Sequence, residues 1–438
     1  MTSGPSIVIE KLGGVLRSGH HPHSEEFAAA ATEAIAALSL EERTRATETL
    51  QSLLHALTGQ PPVAMGAPAA VMGTPVEEEP AELAMLRPGG GGYPCVLART
   101  LTGVHTGNIT SVRWAPGDRL VSGGADRLLV VSDATGGRSS ATFDAGVLCV
   151  EVHAESATVA ASAMDGSVAI FQLDADDGRL SELFRARSHR KYAHGLRWHP
   201  SGRLLASCSF DHTLVVYHKR GDTWSQLEQL HCGATVEAVE WLAPAPTGLA
   251  LPQAPLLAAA VRDDHRLHLI EVHVDRPAQD RLSRRVLNLN ANGDDTHSFN
   301  VLALAASPDG RWLAAATDSG RVLVLGAQTG RQMRALCTGV ADDLMQPRPA
   351  LAWDASGKYL TASSAGQEGL LQVWDLATEA PVAQLQGHTA QVRDLHLHPT
   401  RRVLASAGFD KTIRLWVAAG DGDVKGDQAA LAEWATPA

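Results

Sequence analysis

Residues 388–421 read HTAQVRDLHLHPTRRVLASAGFDKTIRLWVAAGD, and the spacing inside this stretch decides the fold. His388 is followed nine residues later by the apolar Leu397, at eleven by Pro399 and at twenty-two by Asp410, and a β-type run ends at Trp416. Within one residue, the same intervals recur in HTGNITSVRWAPGDRLVSGGADRLLVVSDATGG (105–137), through His105, Trp114, Pro116 and Asp126. They recur again in 189–222 through His189, Trp198, Pro200 and Asp211. Short apolar runs punctuated by Gly, Asp and Pro read as strands. Weaker copies fill the gaps at 147–175, 236–272, 302–330 and 351–379, which makes seven repeats. Spread over 96–421, each copy has about 47 positions, slightly above the ~40–45 of a four-stranded propeller blade. The excess lies in two insertions, 243–255 and 337–349.

With Gly387-His388 and Trp374-Asp375 as signature dipeptides, these repeats resemble the WD-repeat family over most of the chain. The resemblance implies an all-β fold, a seven-bladed propeller, to which the small α-helical amino-terminal module described below is added. It also implies a buried hydrogen-bonded tetrad, made in the last repeat by His388, Ser406, Asp410 and Trp416. The third repeat keeps His189, Ser207 and Asp211 with Tyr217 in the Trp place, and the first keeps His105, Ser122 and Asp126 with Ser132 there. Each bond in such a tetrad nets about 0.5–1.5 kcal/mol. These residues are therefore expected to be structural, and a blade lacking them still stacks on its neighbours.

Partners of the resembled family touch two positions per blade, one before the first strand and one just ahead of the turn Asp. Here the first set is Asn108, Tyr192, Thr235 and Gln391, and the second is Ala125, Met164, Phe210, Asp263 and Phe409. Tyr192, Phe210, Met164 and Phe409 are the large apolar side chains that interface hot spots favour. Beside them runs RARSHRKYAHGLR, with Arg185, Arg187, Arg190, Lys191 and Arg197, for which an acidic or phosphorylated partner is the natural guest. The run 93–101 precedes the first His with no strands of its own blade before it. It is expected to pair outermost with the strands of 391–417 and close the ring, as in the resembled family.

Outside the repeats, residues 1–58 read as a helical module. Phe27, Ala31, Ala34, Ile35 and Leu38 share one face, and after the capping box Ser39/Glu42 a second stripe runs through Ala46, Leu50, Leu53, Leu54 and Leu57. So little helix makes no core alone, and a homodimer through this module is one way to cover it. VLRSGHHPHSEEFAAA loosely resembles the LisH dimerisation motif through Gly19, Ser24 and Phe27, with His20 where an aromatic is usual. Residues 59–92 read as a flexible Pro/Gly/Ala linker, 93–421 as the propeller, and 422–438 as a tail with Leu431 and Trp434 at helical spacing.

Composition narrows the function. The 438 residues carry a net charge of −11, and residues 1–95 hold more than half of it. That makes nucleic acid or a nucleosome, bound through 185–197, the alternative to a protein partner. Five scattered cysteines, never at C-x-x-C spacing, fit a cytoplasmic or nuclear protein. The amino terminus lacks the apolar run of a secretory signal, and no membrane span is expected. No phosphate-binding, hydrolase or metalloprotease motif is present, and His20-His21-Pro22-His23 has no Cys or acidic ligand to complete a metal set. We therefore expect a non-enzymatic scaffold or adaptor with no cofactor. A ubiquitin-ligase substrate receptor is a less favoured subtype, since Trp374-Asp375 is followed by Leu-Ala rather than by x-Arg.

Overall fold

The computed structural model describes residues 93–243, 254–290, 299–339, 348–364 and 369–418. The helical module, the linker and the tail expected at 1–58, 59–92 and 422–438 lie outside the described residues. Within them, twenty-eight strands form seven antiparallel sheets of four, the blades of a propeller.

Blade 1 is β2 (Ile109–Ala115), β3 (Arg119–Gly124), β4 (Leu128–Ser132) and β5 (Arg138–Thr142). Blade 2 is β6 (Val147–His153), β7 (Thr158–Ala163), β8 (Ser167–Leu173) and β9 (Leu180–Arg187). Blade 3 is β10 (Ala193–Trp198), β11 (Leu204–Ser209), β12 (Thr213–Arg220) and β13 (Thr223–His231). Blade 4 is β14 (Val236–Leu242), β15 (Leu256–Val261), β16 (Arg266–Val272) and β17 (Leu282–Asn288). Blade 5 is β18 (Val301–Ala306), β19 (Trp312–Thr317), β20 (Arg321–Gly326) and β21 (Gln332–Cys337), and blade 6 is β22 (Leu351–Trp353), β23 (Tyr359–Ser363), β24 (Leu371–Asp375) and β25 (Ala380–Leu385). Blade 7 joins β26 (Val392–Leu397), β27 (Val403–Gly408) and β28 (Ile413–Ala418) to β1 (Pro94–Leu101). β1 runs antiparallel to β28, from Leu101 opposite Ile413 to Pro94 opposite Ala418, so the blade is built from both ends of the repeat region.

Burial explains why the strands read as they do. The second strands are buried on both faces, and β7 (TVAASA) and β27 (VLASAG) have no exposed residue, which favours small side chains in the crowded interior. The fourth strands lie at the rim and alternate, as in β5, where every second residue of RSSAT is exposed. This is the source of the low aromatic fraction, 5% of the chain.

The apolar side chains form seven clusters, and each lies between two neighbouring blades. The cluster between blades 7 and 1 joins Ile109, Val112 and Leu120 to Ala405, Ile413 and Leu415, with Leu101 of β1 beside them. Close approach of adjacent blades also fixes two glycines. Gly166 (φ +86) and Gly369 (φ +73) sit in turns where a Cβ would run into the carbonyl oxygen of His189 or His388 in the next blade.

Candidate functional site

One backbone bond recurs in six of the seven blades and builds the loop face. The N–H at the end of the second strand donates to the carbonyl just before the first strand, as in Ala125 to Asn108, Met164 to Gly146, Phe210 to Tyr192 and Phe409 to Gln391, at 2.9–3.2 Å. Arg262 to Thr235 and Asp318 to Asn300 complete the set, whereas in blade 6 the bond from Ser363 to Ala350 only extends the β22–β23 ladder past Leu351 and Ala362. The two families of positions read separately from the sequence are thus bonded neighbours. In blade 4 the register differs by one: Arg262 takes the place beside Thr235, and Asp263 lies one residue on at φ +60, its N–H 2.7 Å from Asn300 Oδ1.

Blade 3 presents an aromatic cluster. Tyr192 is 50% exposed and meets the half-buried Phe210 edge-on, ring centroids 6.0 Å apart, while His194 packs on Phe210 at 4.5 Å. Met164 is exposed, and Phe409 is half-buried beneath the Arg393 guanidinium, 5.3 Å from its ring centre. Asn108 and Gln391 are half-buried.

The basic stretch does not form one patch. Arg185 pairs with Glu182 at 2.8 Å and lies over Phe143, the Arg187 Nε donates to the Asp165 carbonyl, and Arg197 is turned into the central channel. The stretch passes from the rim strand β9 through a loop into the inner strand β10, so that Arg190 and Lys191 alone of it stand exposed beside Tyr192.

Under the face lie the His-centred networks. In blade 7 His388 meets Asp410 at 2.9 Å and Ser406 at 2.7 Å, and the Trp416 indole N–H donates to Ser406 Oγ at 2.8 Å. In blade 3 the His189 Nδ1 lies nearer Thr213 (2.9 Å) than Asp211 (3.4 Å), and Tyr217 OH is 3.3 Å from Ser207. In blade 1 His105 bonds Asp126 and Ser122, whereas the Ser132 hydroxyl, in the Trp place, is buried with no partner. These imidazoles are enclosed, and nothing in their surroundings positions a substrate.

The first strands line the central channel, and each except β22 starts with a β-bulge. Pairing skips Thr110, Leu148, His194, Glu237, Leu302 and Arg393, one per blade at the same place. A bulged residue leaves its ladder, and its carbonyl is available to another donor. Arg348, which precedes β22, takes three of them, donating to the carbonyls of Leu302 (3.1 Å), His194 (3.0 Å) and Glu237.

Deeper in the channel a chain of charges crosses five blades. Asp394 pairs with Arg113 (2.5 Å), Arg113 with Glu151 (2.8 Å), Glu151 with Arg197 (2.5 Å) and Arg197 with Glu240 (2.8 Å). The Asp394 carboxylate also accepts from Ser111 and the Val112 N–H. Blades 5 and 6 put Ala305 and Ala352 at this level, so the cavity there, about 390 Å³, is charged on one side and apolar on the other.

A family model of the WD domain, G-beta repeat, matches residues 96–133, 181–218, 293–324 and 379–417. The chain carries WD40 repeats. Protein transport protein sec13 of Aspergillus oryzae is 28% identical over 235 residues, 49% of this chain and 76% of that protein, and its Emericella nidulans counterpart is 29% identical over 237 residues, 50% and 73%. Nuclear distribution protein PAC1 of Arthroderma otae is 44% identical over 70 residues, 16% of this chain and 15% of that protein.

Sequence reasoning passed over the inner lining of this WD40 propeller. Arg393 lies two residues beyond Gln391 and Arg348 falls at the end of an insertion, so neither belongs to the repeat's recurring landmarks. His396 and His398 turn inward, His396 Nδ1 accepting the Trp114 N–H at 3.0 Å and His398 meeting Asp118 at 3.0 Å. Burial pushes His194 and His396 down to about 3 and lowers His189 and His388. Burial works to raise Asp394, but Arg113 and Ser111 outweigh it and hold it below the usual carboxylate range; Asp410 is lowered likewise by His388 and Thr412.

Both effects act in one direction. Below about pH 6.5 the unfolded chain takes up protons that the buried imidazoles refuse, and each such histidine removes at most about 1.4 kcal/mol per pH unit. Below about pH 4 the carboxylates are protonated in the unfolded chain first, and the stability from their depressed values is lost in turn. We expect the Tm to fall steadily from pH 7.5 to 5 and more steeply below 4. A Tm flat across the upper window would show that these histidines titrate normally.

Proposed function

We propose that this chain is a non-catalytic scaffold that holds partner proteins on the loop face of its WD40 propeller. The observation carrying this reading is the Tyr192–Phe210–His194 cluster, an exposed aromatic group set among the exposed Arg190, Lys191 and Met164. A rigid aromatic anchor flanked by polar and cationic groups is the composition of interface hot spots. The similar proteins named for protein transport and nuclear distribution support a part in intracellular assembly. So do free cysteines at 95, 149, 208, 232 and 337, which suit the cytoplasm or nucleus. Affinity purification of the chain beside Tyr192→Ala/Phe210→Ala/Phe409→Ala tests the reading. The triple change is expected to remove most co-purifying proteins, and survival of every one of them would place the interface elsewhere.

A further inference from the structure

The deeper charge chain contains two arginines, Arg113 and Arg197, against three carboxylates, and satisfies itself. At the mouth above it the balance reverses. Arg348 has its N–H groups on backbone carbonyls, which engage its donors without cancelling its charge. Arg393 has less: its Nε is buried with no hydrogen-bond partner, and no ion pair forms on its guanidinium among the described residues. Its sequence neighbour Asp394 does not supply one, since that carboxylate is occupied by Arg113, Ser111 and two backbone N–H groups. Burial and the nearby Arg348 together push Arg393 down to about 10 against the opposing pull of the Asp394 carboxylate, with the Phe409 ring 5.3 Å beneath its guanidinium.

Both arginines line one cavity of about 70 Å³, together with Ser111, His194, the Asp394 carboxylate and the Arg113 and Arg197 of the charge chain, so that four guanidinium groups face one carboxylate there. At about 10–15 Å³ per water, that is room for a few waters or a single oxyanion group. A planar guanidinium fork with free donors is the group that recognises carboxylate and phosphate.

We propose that the channel mouth is an oxyanion site, with Arg393 as its free ligand and Arg348 as its fixed positive charge. The guest is a phosphate or carboxylate group, and it supplies the ion pair that the Arg393 guanidinium does not form among the described residues. The site goes beyond the scaffold reading, because it needs neither Tyr192 nor Phe210.

Calorimetric titration of the 438-residue chain with inorganic phosphate tests it, beside two short peptides, one carrying phosphoserine and one carrying glutamate. Phosphate is expected to bind and to raise the Tm relative to chloride at equal ionic strength. Arg393→Gln should weaken binding at least tenfold while raising the Tm of the ligand-free protein by about 1–3 °C, since it removes a buried unpaired charge. Arg393→Lys should retain part of the binding, and Val286→Ala, an exposed rim residue of β17, should bind as wild type. A peptide binding more tightly than phosphate places the guest on a partner chain, and equal or weaker binding identifies a free anion. No binding by any probe, or binding that Arg393→Gln leaves unchanged, overturns the site and leaves the aromatic loop-face reading untouched.

Discussion

Deleting residues 93–101 is expected to lower the Tm by about 10 °C or more. The segment contributes one whole strand of blade 7, and its loss exposes the hydrogen-bonding edge of β28 along its length. It also uncovers Leu101, buried between blades 7 and 1, and Tyr93, buried between blades 6 and 7 with its hydroxyl on Thr361. Two such side chains are worth about 1.5–3 kcal/mol each, before the ladder bonds are added. At roughly 1–2 °C per kcal/mol in a chain of this size, side chains and ladder bonds together still give about 10 °C or more. Thermal melts of the deleted and intact chains compared at equal concentration decide the matter, and an unchanged melt would mean that the ring closes without β1. The deleted protein should also self-associate, because a bare β-edge recruits another strand.

The second large effect is expected at Glu151. Its Oε1 is shared by Arg113 and Arg197, so Glu151→Ala leaves two enclosed guanidinium groups with one carboxylate each where they had two. Breaking a buried pair by removing one partner costs about 3–5 kcal/mol, more than the pair itself was worth. Urea unfolding should show that loss in the midpoint with little change in slope. Removing the exposed pair Asp177–Arg179, whose side chains are 50% and 80% accessible, should shift nothing measurable. Equal effects at the two sites would refute the internal charge chain.

The ring was legible in the sequence because its landmarks are local. A His, a Pro and an Asp at fixed intervals mark the turns of blades 1, 3 and 7, and even the weaker copies at 302–330 and 351–379 fall on the strands of blades 5 and 6. The closing strand was legible too, since a lone β run before the first repeat has one open edge to join. The channel was not. Arg113 and Asp394 stand 281 residues apart, and which first-strand side chains meet across the axis depends on the blade order and on a bulge, neither of which has a local sequence mark. The passage from one blade to the next broke up the basic stretch: residues 185 to 197 looked continuous, yet they run from the rim strand β9 across the loop face into the channel strand β10. The one-residue slip at Asp263 has a similar cause, because the turn of blade 4 contains two consecutive aspartates and spacing alone does not choose between them.

The bulges at the channel mouth have a consequence for how this surface changes over time. Thr110, Leu148, His194, Glu237, Leu302 and Arg393 each sit outside the pairing of their strand, so the ladder on either side is indifferent to which side chain stands there. The fold therefore offers a short alphabet of six positions, one in each blade but blade 6, that mutation can respell at the cost only of the side-chain bonds made there, such as those of Thr110 to Gly123 and Val147 and of Glu237 to Arg262. A library randomised at those six codons should yield mostly folded proteins with divergent ligand preferences, a separation of heritable specificity from structural constraint that a flush, unbulged barrel mouth would not permit.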